Sequence, residues 1–122
     1  IDEFVAKKRQ NQEAYVEGLA DLSDVRVFRF NAESDPVPHR TLIFVPEAAK
    51  LIEHLTSKGI GVRTTFMPMH SQPCYRTGEV LPVTEKLYET GVCLPSAPTL
   101  TTDQIDFICG TVRHFYTSKE VA

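Results

Sequence analysis

The chain has 122 residues, 42% of them hydrophobic and 24% charged, and its formal net charge is -3. This composition is typical of one soluble globular domain, large enough to bury a core without metal or disulfide staples. Scattered charges argue against a nucleic-acid partner, and because no apolar run approaches about 20 residues, no membrane anchor is expected. The three cysteines form no CxxC pair, which favours a reduced, cytoplasmic compartment.

The first half of the sequence predicts a helix, two strands and a second helix. Apolar residues at helical spacing predict an amphipathic helix over 2–20. They are Ile1, Phe4, Val5, Tyr15, Val16 and Leu19. Because no capping residue precedes Ile1, we expect that this helix was cut from a longer chain. β-Branched and aromatic residues then predict strands over 25–30 and 40–45, and Pro46 suits the first turn of a helix that ends at Gly59.

The second half predicts two further strands and two further helices. A strand over 60–66 leads into an ordered, proline-rich loop over 67–82, and a short helix over 82–90 precedes a brief strand over 92–94. The last helix begins at a capping box of Thr101 and Gln104. Together these elements predict an α/β fold of the two-layer α+β kind, with helices packed on a small mixed or antiparallel sheet.

Candidate functional residues concentrate in the loop. The four histidines, His39, His54, His70 and His114, lack metal-ligand spacing, so no metal site is expected, and His54 and His114 are interpreted as structural or exposed. His70 differs because it follows a strand in a proline-rich loop, where rigid scaffolds present functional side chains. Cys74 is either a nucleophile activated by His70 or, as we favour, a small packing residue.

Arg63 lies in the predicted strand before this loop, and its planar fork suits a carboxylate or a phosphate, or equally a salt bridge to a neighbouring domain or subunit. The sequence has no glycine-rich phosphate loop, no nucleophile elbow and no Schiff-base lysine motif. Its acidic residues fall mostly on solvent faces of predicted helices, which disfavours paired catalytic carboxylates. We therefore predict binding groups and no catalytic residue.

Residues 59–75 resemble one block of the DegT/DnrJ family of sugar aminotransferases, in which Gly-Ile precedes an Arg and then aromatic-x-Pro-x-His-x-x-Pro-x-Tyr. Here these positions are Gly59, Ile60, Arg63, Phe66, Pro68, His70, Pro73 and Tyr75. Residues 82–87, 94–96 and 100–105 resemble the later blocks in the same order, and the helix before Leu19 and the strand over 40–45 resemble the earlier ones. Several blocks in correct order make chance agreement improbable.

The resemblance implies the C-terminal small domain of a pyridoxal-phosphate (PLP) aminotransferase, residues 1–122, without the large domain that carries the cofactor. None of the six lysines matches the Schiff-base motif, so this chain alone is expected to bind no cofactor and to be inactive. The implied partners are the large domain of the same protein, a nucleotide-sugar and, in the parent, a second subunit. The implied substrate contacts are Arg63, Phe66, Met69, His70 and Tyr75.

The pattern from Arg63 to His70 is similar to that of perosamine-synthase-type members, which aminate a nucleotide-linked 4-keto-6-deoxy sugar. It departs from relatives at Thr64 and Thr65, where they often have proline. The resemblance implies glutamate as the amino donor of the parent. The alternative is a stand-alone nucleotide-sugar-binding module or an assembly module.

Overall fold

The computed structural model describes the backbone of residues 1–120 and the side chains of residues 1–118. In this part of the chain the helices are α1 (Asp2–Gly18), α2 (Ala48–Ser57), α3 (Pro82–Thr90) and α4 (Thr102–Glu120). The strands are β1 (Arg26–Val27), β2 (Thr41–Phe44), β3 (Arg63–Thr64) and β4 (Gly91–Leu94). They form one antiparallel sheet in the order β1-β2-β4-β3.

One face of the sheet packs against α1, α2 and α4. Side chains alternate between the faces of a strand, so Thr41 and Ile43 of β2 share a face and are both buried. The helices contribute Tyr15, Leu19, Leu51, Leu55, Ile105, Ile108 and Val112 to the same core. The predicted two-layer α/β fold is confirmed, and its sheet is antiparallel throughout the described residues.

Helix α1 has the predicted position, but its apolar stripe is not buried along its whole length. Ile1 and Phe4 are 94% and 63% exposed, although the sequence grouped them with the core face. The reason is length: a 17-residue helix spans about 25 Å, whereas a four-residue strand spans about 13 Å. The first turns of α1 therefore extend beyond the sheet.

Polar side chains attach the buried part of α1 to the loops around it. Asn11 Nδ2 donates to the carbonyl of Ala97 at 3.0 Å, and Gln12 Nε2 donates to that of Phe28 at 2.8 Å. The Tyr15 hydroxyl donates to the Pro95 carbonyl at 2.9 Å. These bonds satisfy loop carbonyls that no strand partner reaches, because the segments after β1 and β4 leave the sheet.

Two predicted strands are much shorter in the structure. The strand predicted over 25–30 is reduced to β1, with one further bond from the Phe28 amide to the Leu42 carbonyl at 2.8 Å. The strand predicted over 60–66 is reduced to β3, because β3 is an edge strand whose one neighbour, β4, has only four residues. Ile60 instead ends the turn after α2 and is buried in the core.

The remaining elements agree with the sequence except at one boundary. The helix predicted over 82–90 is α3, the strand over 92–94 is β4, and Thr101 and Gln104 make the predicted reciprocal cap. Pro46 is not in the first turn of α2, because Glu47 has φ 53 and the helix begins after it. Within residues 1–120 no helix has both the length and the apolar character needed to cross a bilayer.

Candidate functional site

The loop between β3 and α3 is ordered by two short 3₁₀ turns, Met69–Ser71 and Pro73–Tyr75. The Ser71 amide donates to the Pro68 carbonyl at 3.0 Å, and the Tyr75 amide donates to the Gln72 carbonyl at 2.9 Å. These backbone bonds are local to the loop, and several of its large side chains are exposed. Phe66, Met69 and Tyr75 are 81%, 58% and 54% exposed.

His70 is the exception in this loop, because its side chain is only 8% exposed. Its Nε2 lies 3.1 Å from Oε1 of Glu85, which also accepts the Leu81 amide at 3.2 Å where α3 begins. Hydrogen bonds from His70 and then from Leu81 lower the pKa of Glu85, so Glu85 is an anion that accepts from Nε2–H. In the neutral ring Nδ1 is then the acceptor.

His70 and Tyr75 line a common concave surface of about 630 Å³. Met69, Cys74, Arg76, Thr77, Glu79, Leu81 and Thr84 complete its lining. Cys74 is exposed, so the favoured interpretation of a packing residue is wrong. Among the described residues no hydrogen bond joins Cys74 to His70, whose ring nitrogen contacts Glu85 instead. The geometry therefore does not support activation of the thiol by His70, and offers hydroxyl, imidazole and apolar contacts beside one another.

Arg63 lies at a different depression, of about 210 Å³, which it lines with Arg40, His39 and Ser96. Cζ of Arg40 is 5.5 Å from the centre of the Phe66 ring. The five predicted site residues thus divide into two groups. Met69, His70 and Tyr75 come together at one surface, Arg63 lies at the second, and Phe66 touches the second through Arg40.

Sequence reasoning missed two residues of these surfaces. Glu85 was treated as an ordinary acidic residue of a short helix. An acidic side chain in the first turn of a helix can accept a hydrogen bond from the N-cap amide, and this position could have indicated its role. Arg40 was assigned only to a strand, although its spacing of two from Leu42 places it on that residue's face. Its proximity to Arg63 depends on pairing between distant segments.

The described lysines do not fit a Schiff-base site for PLP. Such a lysine is enclosed and has a lowered pKa. Lys7, Lys8 and Lys50 donate at the surface to Gln10, His39 and Glu47, and the pKa of Lys50 is raised by Glu47. Lys58 and Lys86 are exposed, and the Lys119 side chain lies outside the described residues.

Outside these surfaces, His54 and Cys109 pack within the interior of the domain. The His54 ring packs 6.3 Å from that of His114 and 5.4 Å from that of Phe115, between α2 and α4. Burial raises the pKa of the Cys109 thiol to about 11 and so makes it unreactive. Within residues 1–118 no three histidine, cysteine or acidic side chains come close enough to hold a metal ion.

An antiparallel sheet backed by three helices, with an ordered loop of exposed aromatic and sulfur side chains, defines an α/β small domain that offers binding groups. A model of the DegT/DnrJ/EryC1/StrS aminotransferase family matches residues 1–113. The chain therefore belongs to that family, as the motif around His70 predicted.

Individual relatives agree with this assignment. GDP-perosamine synthase of Escherichia coli O157:H7 is 30% identical over 97% of this chain and 33% of its own length. The crystal structure of DesV of S. venezuelae, in complex with a ketimine intermediate, is 26% identical with a TM-score of 0.85, over 93% of this chain and 32% of its own. The aminotransferase TlmJ of Streptoalloteichus hindustanus has the same fold, with 22% identity and a TM-score of 0.88 over 97% of this chain and 33% of its own. The chain spans about a third of each.

Proposed function

We propose that this chain is the C-terminal small domain of a PLP-dependent sugar aminotransferase and forms one wall of its substrate cleft. The parent transfers an amino group from an amino acid, glutamate, to a nucleotide-linked keto-deoxy sugar. The observation that carries the proposal is the family match over residues 1–113 combined with coverage of only a third of the relatives. The large domain supplies PLP, which acts as the electron sink.

The surface at His70 supports the role of a cleft wall. Tyr75 offers a hydroxyl, and the His70 ring offers Nδ1, both suited to sugar hydroxyls. Glu85 positions His70, because it holds Nε2 at 3.1 Å and leaves one ring nitrogen for the substrate. Met69 and Phe66 supply apolar contact, and Arg63 meets a phosphate or the carboxylate of the amino donor.

The proposal includes the setting of the parent. Its partners are the large domain of the same protein and a second subunit, and exposed apolar side chains such as Phe66 and Val83, 81% and 73% exposed, suit such contacts. Three free cysteines suit a reducing cytoplasm. Similarity to GDP-perosamine synthase supports a 4-keto-6-deoxy sugar carried on GDP as the substrate of the parent.

The experiment starts from the natural reading frame. We expect it to extend upstream of Ile1 and to encode a large domain with a Schiff-base lysine. The purified parent should aminate a GDP-linked 4-keto-6-deoxy sugar with glutamate, monitored by loss of the keto sugar on chromatography. His70→Ala and Tyr75→Phe should lower kcat/KM about tenfold or more, because each removes a hydrogen bond to the substrate.

His114→Ala is the matched control, because His114 lies on α4 and outside both surfaces, and it should keep kcat/KM within about twofold. A frame without a large domain would favour the stand-alone binding module. Full activity of both His70→Ala and Tyr75→Phe would show that this loop does not bind the substrate.

A further inference from the structure

The face of the sheet opposite α1, α2 and α4 carries arginines on three strands or their ends. In the register Leu42 pairs with Cys93 and Cys93 pairs with Arg63, and directly paired residues point to the same face. Arg40 precedes Leu42 by two residues and shares that face. Arg26 pairs with Phe44 and shares it as well. The register thus places three guanidinium groups on the face that the helices leave open.

Two of these arginines meet at one place. Arg40 and Arg63 line the depression of about 210 Å³ together with His39, Gly61, Cys93, Leu94 and Ser96. Its lining offers two guanidinium groups, an imidazole and a hydroxyl group, which suits an anionic group. Arg26 does not line it and stacks instead on Phe44, with Cζ 4.5 Å from the ring centre.

The charges of Arg40 and Arg63 are uncompensated in the described part of the chain. Two of the other arginines have carboxylate partners, Arg9 with Asp35 at 2.6 Å and Arg113 with Asp21 at 2.7 Å, whereas Arg26, Arg29 and Arg76 also make no ion pair among the described residues. Within residues 1–118 neither Arg40 nor Arg63 makes an ion pair, and no carboxylate lines their depression. Two like charges in one depression repel each other, and an oxyanion between them removes that repulsion.

The guanidinium of Arg40 also contacts an aromatic ring of the loop. Arg40 is half-buried, and its Cζ lies 5.5 Å from the centre of the Phe66 ring, a cation–π contact. Phe66 also begins the loop that leads to Met69 and His70 at the larger surface. The arginine depression and the sugar-binding surface of the proposed function are thus connected by one short, ordered segment.

We propose that Arg40 and Arg63 together bind the diphosphate of the nucleotide-sugar, so that Arg40 is a binding residue beside Arg63. This inference rests on the proposed function for the identity of the ligand. Two guanidinium groups match the two phosphoryl groups of a diphosphate in charge, and each fork can bind two oxygens. Glutamate, the amino donor, also carries two carboxylates, and the test therefore includes it as a competing ligand.

The test uses the 122-residue chain and titration calorimetry with four probes: GDP, inorganic pyrophosphate, guanosine and glutamate. GDP and pyrophosphate should bind and guanosine should not. Arg40→Met and Arg63→Met keep an unbranched stem and should each weaken GDP binding about tenfold or more. Arg26→Met is the matched control, because it removes a stacked arginine from the same face, and it should change the affinity less than about twofold.

Circular dichroism and thermal unfolding should be the same for all three variants, so that a loss of affinity is not a loss of fold. Three results would overturn the inference: no binding of GDP and pyrophosphate at millimolar concentration, binding that is insensitive to Arg40→Met, or glutamate binding that depends on both arginines while GDP binding does not. A failed GDP titration would not contradict amination by the parent. A failed amination assay would not change the result of the GDP titration, so the two failures can be told apart.

Discussion

At the scale of single residues, His54 links the two helices that cover the core. Its ring lies against those of His114 and Phe115, and its Nε2 is buried without a hydrogen-bond partner in the described structure. Burial first, then the charge of Lys58 and the neighbouring His114, lowers the pKa of His54 below its ordinary value of 6.5. The folded protein therefore holds His54 as a neutral ring.

This shift predicts acid sensitivity. Because the pKa is lower in the folded state, the unfolded chain binds more protons below pH 6.5, and stability present above that pH is lost as the pH falls through the folded pKa. His54→Phe should reduce the fall in the urea midpoint between about pH 7.5 and 5.5. His39→Gln changes an exposed histidine and is the control. It should leave the fall in the urea midpoint unchanged. An unchanged pH dependence in His54→Phe would contradict the assignment.

At the scale of secondary-structure elements, the junction of α3 and β4 is tight although α3 itself buries no side chain. Gly91 follows α3 directly and begins β4. A Cβ on Gly91 would lie 2.3 Å from Cγ2 of Thr65 and 2.6 Å from the backbone oxygen of Leu87. Thr65 can rotate, but the carbonyl of Leu87 belongs to the helix and cannot move alone. Close backbone approach, and not φ, requires glycine here.

Gly91→Ala should therefore lower the free energy of unfolding by about 1–3 kcal/mol, because overpacking forces the helix end away from the strand. Gly110→Ala is the matched control: it lies within α4, and a Cβ there has nothing within 4 Å. That change should stabilise the protein by up to about 1 kcal/mol, since alanine is the better helix former. Urea denaturation measures the free energy of unfolding of both variants. Equal changes in the two variants would show that the neighbours of Gly91 leave room for a Cβ.

At the scale of the whole molecule, most of the large exposed apolar side chains belong to one segment of the chain. The helices α1, α2 and α4 and the inner sheet face form one core, whereas residues 66–87 expose a run of large apolar side chains. These are Phe66, Met67, Met69, Tyr75, Val80, Leu81, Val83 and Leu87. A segment whose apolar side chains lie outside the core has few packing contacts, so it can unfold locally while the core stays folded.

Native-state hydrogen exchange should follow this division. Amides of α4 and β4 should exchange only on global unfolding, whereas those of α3 should exchange through local opening at a lower free energy. α4 provides the internal control, because both segments are helices in one protein. Equal protection of α3 and α4 would contradict the prediction. Slower exchange of α3 after addition of the large domain would identify that domain as the partner of the segment.

The sequence by itself determined the order of helices and strands, the two-layer class and the family. The elements and the class follow from local patterns, such as helical spacing in α2 and α4 and the capping box at Thr101, whereas the family follows from the resemblance of the motif that ends at Tyr75. Such patterns reflect the preferences of neighbouring residues, which do not depend on the rest of the chain.

Only the tertiary structure decided the lengths of the edge strands, the exposure of Ile1 and Phe4, and the partners of the site residues. Strand length depends on how far a neighbour extends, and helix burial depends on the size of the sheet beneath it. The contact of His70 with Glu85 and the meeting of Arg40 with Arg63 join segments that lie 15 and 23 residues apart in the sequence. Register and packing bring such segments together, and local sequence preference does not encode either one.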